Sequence, residues 1–221
     1  MTMIIQTTDY NGADKLFLSK YYQEWSEIHQ TLTSLKLHLK KSDQAGIEGS
    51  PIFDPVGSNE AIKESLKNKK WLCNCPVPPE FDFLGKDIDF AKAGVLVEVQ
   101  FSNYPFLLNN LLRSELFVRA QLSFSDKPVS LIVIITKAKM FPASNSTLYY
   151  EQAVNQLNSL SQHNVFTAPI RLIGLFEKEN SIVDVHWSVY SASRYSRTVA
   201  RRAEKNCQIT RNGSRCSLRI L

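Results

Sequence analysis

The sequence predicts an α/β fold, with a central mixed β-sheet flanked by helices and further β structure in the last third of the chain. Three observations carry this. Residues 129–136 form a continuous β-branched run, the pattern of a strand buried on both faces. Residues 170–176 repeat that pattern. Between them, a helix over 147–162 places Tyr150, Ala153, Val154, Leu157 and Leu160 on one face. Buried strands separated by amphipathic helices build a layered sheet.

The remaining elements follow in chain order. Residues 14–35 read as a helix, with Leu16, Tyr21, Trp25, Ile28 and Leu32 as its apolar stripe. A loop runs through Gly46, Gly49, Pro51 and Pro55. Ser58 is placed to cap a short charged helix over 59–69. Pro76, Pro78 and Pro79 enforce an extended approach to the next element. After it, Ser102-Asn103-Tyr104-Pro105 reads as a turn feeding a helix over 106–121. The segment from Ala143 to Ser146 breaks the chain and can cap the helix that follows. Residues 181–190 read as a further strand.

The chemistry concentrates in residues 86–101. If Ala93-Gly94 is a two-residue hairpin turn, positions summing to 187 face each other. Asp89 then lies opposite Glu98, and Asp87 opposite Gln100, all on one face because side chains alternate along a strand. The other face carries Ile88, Phe90, Val97, Val99 and Phe101. Gathered carboxylates repel unless a positive charge sits between them. A divalent cation answers that need, and oxygen ligands favour magnesium. An acidic solvent face with no chemistry gives the same pattern, and a longer loop would shift the register.

Composition narrows the class. The 221 residues suffice for one substantial domain with a small addition, and 43% hydrophobic with 21% charged residues is a globular balance. No apolar run is long enough to cross a bilayer, and the N-terminus lacks the basic and apolar regions of a signal peptide, so a cytoplasmic location is expected. From Ser191 onward, eight basic side chains stand against Glu204 alone, leaving the rest slightly acidic. That block points either to a polyanionic partner or to a solvated tail. Cys73-Asn74-Cys75 lacks zinc-knuckle spacing, and Cys207 and Cys216 are distant in sequence.

An acidic residue, a spacer and a second acidic residue two positions before a lysine form a degenerate nuclease motif. Here Asp89, Glu98 and Gln100 occupy those positions, with glutamine in place of lysine. The residues around them are more specific. Runs at 81–90, 96–110, 140–153, 155–160, 169–175 and 194–198 resemble the Bgl II family of type II restriction endonucleases. The likeness extends from Asp9 to about Thr198, with no clear match beyond.

The resemblance implies a restriction-endonuclease-like core over 1–180 and a β-rich, basic extension over 181–221 that contributes to DNA binding. It implies a homodimer that cuts double-stranded DNA at a GATC-centred palindrome, AGATCT being favoured with the cut after the first A. A homodimer suits a palindrome, since each subunit reads one half-site, and the helices after the hairpin are candidates for its contact. The family's catalytic positions fall on Asn74, Asp89, Glu98 and Gln100. Asp89 and the backbone carbonyl of Val99 would hold Mg2+, and Glu98 and Gln100 the attacking water. Ser102, Asn103, Asn145, Ser146, Tyr195, Ser196 and Arg197 match positions that approach DNA, and Arg113 matches a phosphate contact or a helix surface charge. Asn145-Ser146 also suits a helix cap, and Ser102-Asn103 a turn. A non-cleaving DNA-binding protein on the same fold is the competing class, supported by Gln100 and the charged tail.

Overall fold

The computed structural model describes residues 3–144, 147–192, 198–213 and 215–221. In chain order the elements are β1 (Ile4–Tyr10), α1 (Ala13–Leu18), α2 (Tyr22–Thr33), β2 (Leu37–Lys41), β3 (Pro51–Phe53), α3 (Pro55–Asn68) and β4 (Leu72–Pro76). A 3-10 turn, Pro79–Leu84, leads into β5 (Asp87–Lys92), β6 (Val95–Val99), α4 (Phe106–Arg119), β7 (Leu131–Lys137), α5 (Tyr150–Gln162) and β8 (Ile170–Phe176). The chain ends with β9 (Ser181–Tyr190), β10 (Val199–Asn212) and β11 (Arg215–Ile220).

Two sheets result. The first has the order β1-β8-β7-β6-β5-β4 and is mixed: β6, β7 and β8 run parallel, while β1, β5 and β4 join antiparallel. Its centre is β7, buried at every position, as its unbroken β-branched sequence requires. Leu107, Leu111 and Phe117 of α4 and Ala153 and Leu157 of α5 cover one face. The opposite face packs Val133, Ile135 and Ile173 into a core shared with α1, α2, α3 and the second sheet.

The second sheet has the order β11-β10-β9-β2-β3. Strands β2 and β3 fall in a stretch read from sequence as a loop, and they extend the sheet built by β9, β10 and β11. The described part of the basic tail thus forms the β10–β11 pair. Two of its arginines are paired within the fold: Arg202 with Glu60 at 2.9 Å, and Arg211 with Glu179.

Local differences from the sequence reading have physical causes. The helix expected over 14–35 is interrupted between Leu18 and Tyr22. Tyr21 turns inward there, fully buried, and its hydroxyl bonds to Ser130. Helix α3 begins at Pro55, whose fixed φ suits a first helical position. Ser58 therefore lies inside the helix, buried, and caps nothing. Helix α5 begins at Tyr150, three residues later than expected, with no side-chain cap.

Candidate active site

The hairpin forms as expected. Phe90 faces Val97, Ala91 faces Leu96 and Lys92 faces Val95. Ala93 and Gly94 both have positive φ, 50° and 86°, as a two-residue primed turn demands. Gly94 also passes too close to the carbonyl of Pro128, 2.6 Å from where a Cβ would sit, to admit a side chain.

The ladder closes before Asp89. There the aspartate side chain replaces a main-chain rung: its Oδ2 accepts the N–H of Val99 at 2.7 Å. On the other flank, Cys73 faces Phe90 and Cys75 faces Ile88, with Asn74 between them opposite Asp89. Asn74 has φ 51°, in the left-handed region, which asparagine tolerates better than most residues. The pleat switches faces at this point. Phe90 joins the core shared with the second sheet, whereas Ile88 and Cys75 join the core beneath α4. Ile88 therefore does not share a face with Phe90, contrary to the simple alternation. Asp87 is exposed and pairs across to Pro76, so it does not line up with Gln100.

Glu98 is on β6, beside Ile134 of β7, and is 5% exposed. It points toward α4 and accepts a hydrogen bond from Arg113 Nη2. Arg113 is equally buried. Its Nη1 donates to the carbonyl of Asp87 at 2.9 Å and its Nη2 to Asn110 Oδ1 at 3.3 Å. Expected as a phosphate contact or surface charge, Arg113 thus stands inside the site. Its route passes over Gly85, where any Cβ would collide with the guanidinium. Asn110 Nδ2 donates to Gln100 Oε1 at 3.1 Å, and Gln100 Nε2 donates to Ser102 Oγ and the carbonyl of Asn103. A continuous relay therefore joins Glu98, Arg113, Asn110, Gln100 and the Ser102-Asn103 turn. Lys63 of α3 donates to Asn74 Oδ1, completing the outer side.

Sequence reasoning missed Asn110 and Lys63. Asn110 and Arg113 share one face of a helix at i, i+3 spacing, the signal that could have paired them. Nothing local marks Lys63, which reaches the site only through the packing of α3.

Electrostatics fit the arrangement. Burial pushes the Asp89 carboxyl up, against the N–H of Val99, with Asp87 adding to the rise and Arg113 and Lys63 opposing it. Burial pushes Glu98 up to about 8, against the pull of Arg113 and with the help of Asp89. The last influence shows the two carboxylates acting on one another across the same space. Among the described residues, no three His, Cys, Asp or Glu side chains close on a common metal position. Asp89 and Glu98 offer oxygen donors only, a set that fits a hard divalent cation. The four cysteines are free. Asn145, Ser146, Tyr195, Ser196 and Arg197 lie outside the described residues.

A mixed sheet whose parallel strands carry a hairpin with an aspartate, a glutamate and a glutamine at its splayed end is the architecture of a restriction endonuclease. Residues 5–175 match the family model of restriction endonuclease BglII/BglIII. The type II restriction enzyme BglII of Bacillus subtilis is 54% identical over 200 residues, covering 90% of this chain and 88% of that protein. The crystal structure of BglII complexed with a DNA 16-mer superposes with a TM-score of 0.95 at 50% identity, covering 99% of this chain and all of that one. Free BglII gives 0.78 at 46% identity with the same coverage. The chain belongs to the BglII/BglIII restriction endonuclease family and is a type II restriction enzyme, a hydrolase of DNA. The structural match also corrects the reading that likeness ends near Thr198, because the terminal hairpin is part of the shared fold.

Proposed function

We propose that this enzyme acts as a homodimer with Mg2+, cutting both strands of DNA at a GATC-centred palindrome, with AGATCT favoured and the cut after the first A. One observation supports the chemistry above the others. Asp89 is half-buried, bonded through one oxygen to the Val99 N–H, and close enough to Glu98 to raise its pKa. That leaves Oδ1 of Asp89 without a hydrogen-bond partner among the described residues, at the position where a cation ligand is needed.

In this reading Asp89 Oδ1 and the Val99 carbonyl would hold the ion. When bound, the ion stabilises charge on the scissile phosphate and lowers the pKa of nearby water. Glu98, ionised once a bound cation offsets the burial that raises its pKa, would accept a proton from the attacking water, and Arg113 fixes the direction of its carboxylate. Gln100 supplies no charge, but its Oε1 keeps a second lone pair beyond the one taken by Asn110 and so can orient that water. Asn74 holds the β4 side of the corner with Lys63. Ser102, Asn103, Asn145, Ser146, Tyr195, Ser196 and Arg197 read or clamp the duplex, through base edges and phosphates. The extension from residue 181 adds positive charge toward the DNA.

The BglII structure holds a DNA 16-mer, which supports DNA as the ligand here. Leu108 and Leu112, one turn apart on α4, expose 44% and 54% of their surface, an apolar stripe suited to a two-fold contact. Digestion of DNA of known sequence with magnesium, followed by end mapping, tests the proposal. GATC overhangs at one palindrome are expected. Intact DNA under magnesium, or ends lacking a common centre, overturns it.

A further inference from the structure

Lys137 closes β7 and is 0% exposed. No carboxylate pairs with it among the described residues. A lysine buried without an acid is unusual and unfavourable, and burial pulls its ammonium down to about 7. The rings of Phe53, Phe101 and Tyr149 surround the nitrogen with centroids at 5.5, 6.0 and 5.3 Å, which offsets part of that penalty. Its hydrogen bonds show where the charge is used. Nζ donates to the carbonyl of Phe101 at 2.6 Å, to the carbonyl of Leu148 at 3.2 Å, and to the hydroxyl of Thr147.

Those acceptors belong to two crossing segments. One is 100–103, which leaves β6 with Gln100 and turns at Ser102-Asn103. The other is 147–149, which enters α5. They touch directly: Leu148 N–H donates to the carbonyl of Ser102 at 2.9 Å, and Asn103 forms a β-bridge with Thr147. Lys137 lies beneath the crossing and bonds both sides at once. Gln100, in turn, is tied to Ser102 and Asn103 by its side-chain amide.

We propose that Lys137 is a positioning residue for sequence discrimination: its three bonds lock segment 100–103 to segment 147–149, so that Gln100 and the reading pair Ser102-Asn103 move as one body. The inference rests on the assignment of those residues to water orientation and base reading. It explains why an amine donor is kept where a hydrocarbon would pack. Neither carbonyl needs the lysine for satisfaction, because Thr147 Oγ1 also donates to Phe101 O at 2.9 Å and Thr136 Oγ1 to Leu148 O at 3.4 Å. What the ammonium adds is the tie between segments.

The test compares wild type, Lys137→Met, Thr147→Val and the double variant. The preferred site is first mapped with wild type. Then kcat and KM are measured with magnesium on duplexes carrying that site and each of its one-base changes, alongside Tm. Lys137→Met is expected to fold, with Tm unchanged or higher because a buried charge is gone. Its preference for the correct site falls at least tenfold, through kcat on that site. Thr147→Val loses part of the same preference, and the double variant is no worse than Lys137→Met. Unchanged preference in Lys137→Met overturns the proposal. So does a lower Tm with equal loss at every site, or failure of both single variants to fold, since either leaves Lys137 a purely structural residue. A wild-type protein that cuts no site overturns the cleavage reading itself, and the positioning role with it.

Discussion

Two buried glutamates near α4 have opposite fates. Glu115 accepts hydrogen bonds from the N–H groups of Thr167 and Ala168, the hydroxyl of Thr167 and the Nε of Arg119, all at 2.7 to 2.8 Å. Despite the upward push of burial, those donors hold its carboxyl down at about 2. Glu98, more deeply buried, has the Arg113 guanidinium as its hydrogen-bond donor among the described residues and is pushed up to about 8. Glu115 is saturated and stitches α4 to the chain entering β8. Glu98 is under-supplied with donors and shares its space with a second acid. The pair shows two causes acting together: Glu98 lies deeper and has fewer donors, while Glu115 lies nearer solvent and is ringed by them.

The comparison is broken most forcefully at the reactive end. Asp89→Asn keeps the shape and its bond to Val99 N–H but removes the charge. Cleavage with magnesium should fall by roughly a thousandfold or more, while DNA binding in a gel-shift assay persists. At the structural end, Glu115→Ala strands two backbone N–H groups. A loss of about 3 kcal/mol in urea unfolding is expected, with cleavage per folded molecule near wild type.

Acid sharpens the same contrast. The folded carboxyl of Glu115 titrates below its unfolded value, so between about 4.5 and 2 the unfolded chain binds more protons. Its contribution is whole above pH 4.5 and disappears as pH falls toward 2. Chemical denaturation at a series of pH values should show this decline in wild type and a flatter curve in Glu115→Gln, the difference being on the order of 2 kcal/mol.

Gly85→Ala probes the supply to Glu98 without touching either carboxylate. The new methyl displaces the Arg113 guanidinium, and about a tenfold fall in kcat is expected, larger than any change in KM. Arg119→Ala is the mildest. Arg119 is an exposed i, i+4 partner of Glu115, so the variant should lose about 0.5 kcal/mol or less and cut normally.

Legibility in the sequence followed the same division. Strands β7, β8 and β9 were plain because burial on one or both faces writes itself into consecutive residues. The hairpin and its turn were plain because Ala93-Gly94 sets the register. Strand β1 was not seen: its Thr7, Thr8 and Asp9 do not advertise a strand, and it exists by pairing with β8. Strands β2 and β3 are five and three residues long and form by docking onto β9 and each other. At the site, Asp89, Glu98 and Gln100 were readable from spacing and resemblance. The inward turn of Arg113 and the relay through Asn110 were not, because both depend on how closely α4 approaches the 3-10 turn at Gly85.

The left-handed backbone at Asn74 reaches beyond the chemistry beside it. Anyone re-engineering this rim by counting odd and even positions from Phe90 outward would send Ile88 and Cys75 into the core shared with the second sheet, when they pack beneath α4. A grafted ribbon with an uninterrupted zigzag would look correct on paper yet aim side chains at the wrong one of two cores. Transplanting this corner into another scaffold therefore means carrying over the irregular residue along with the acids.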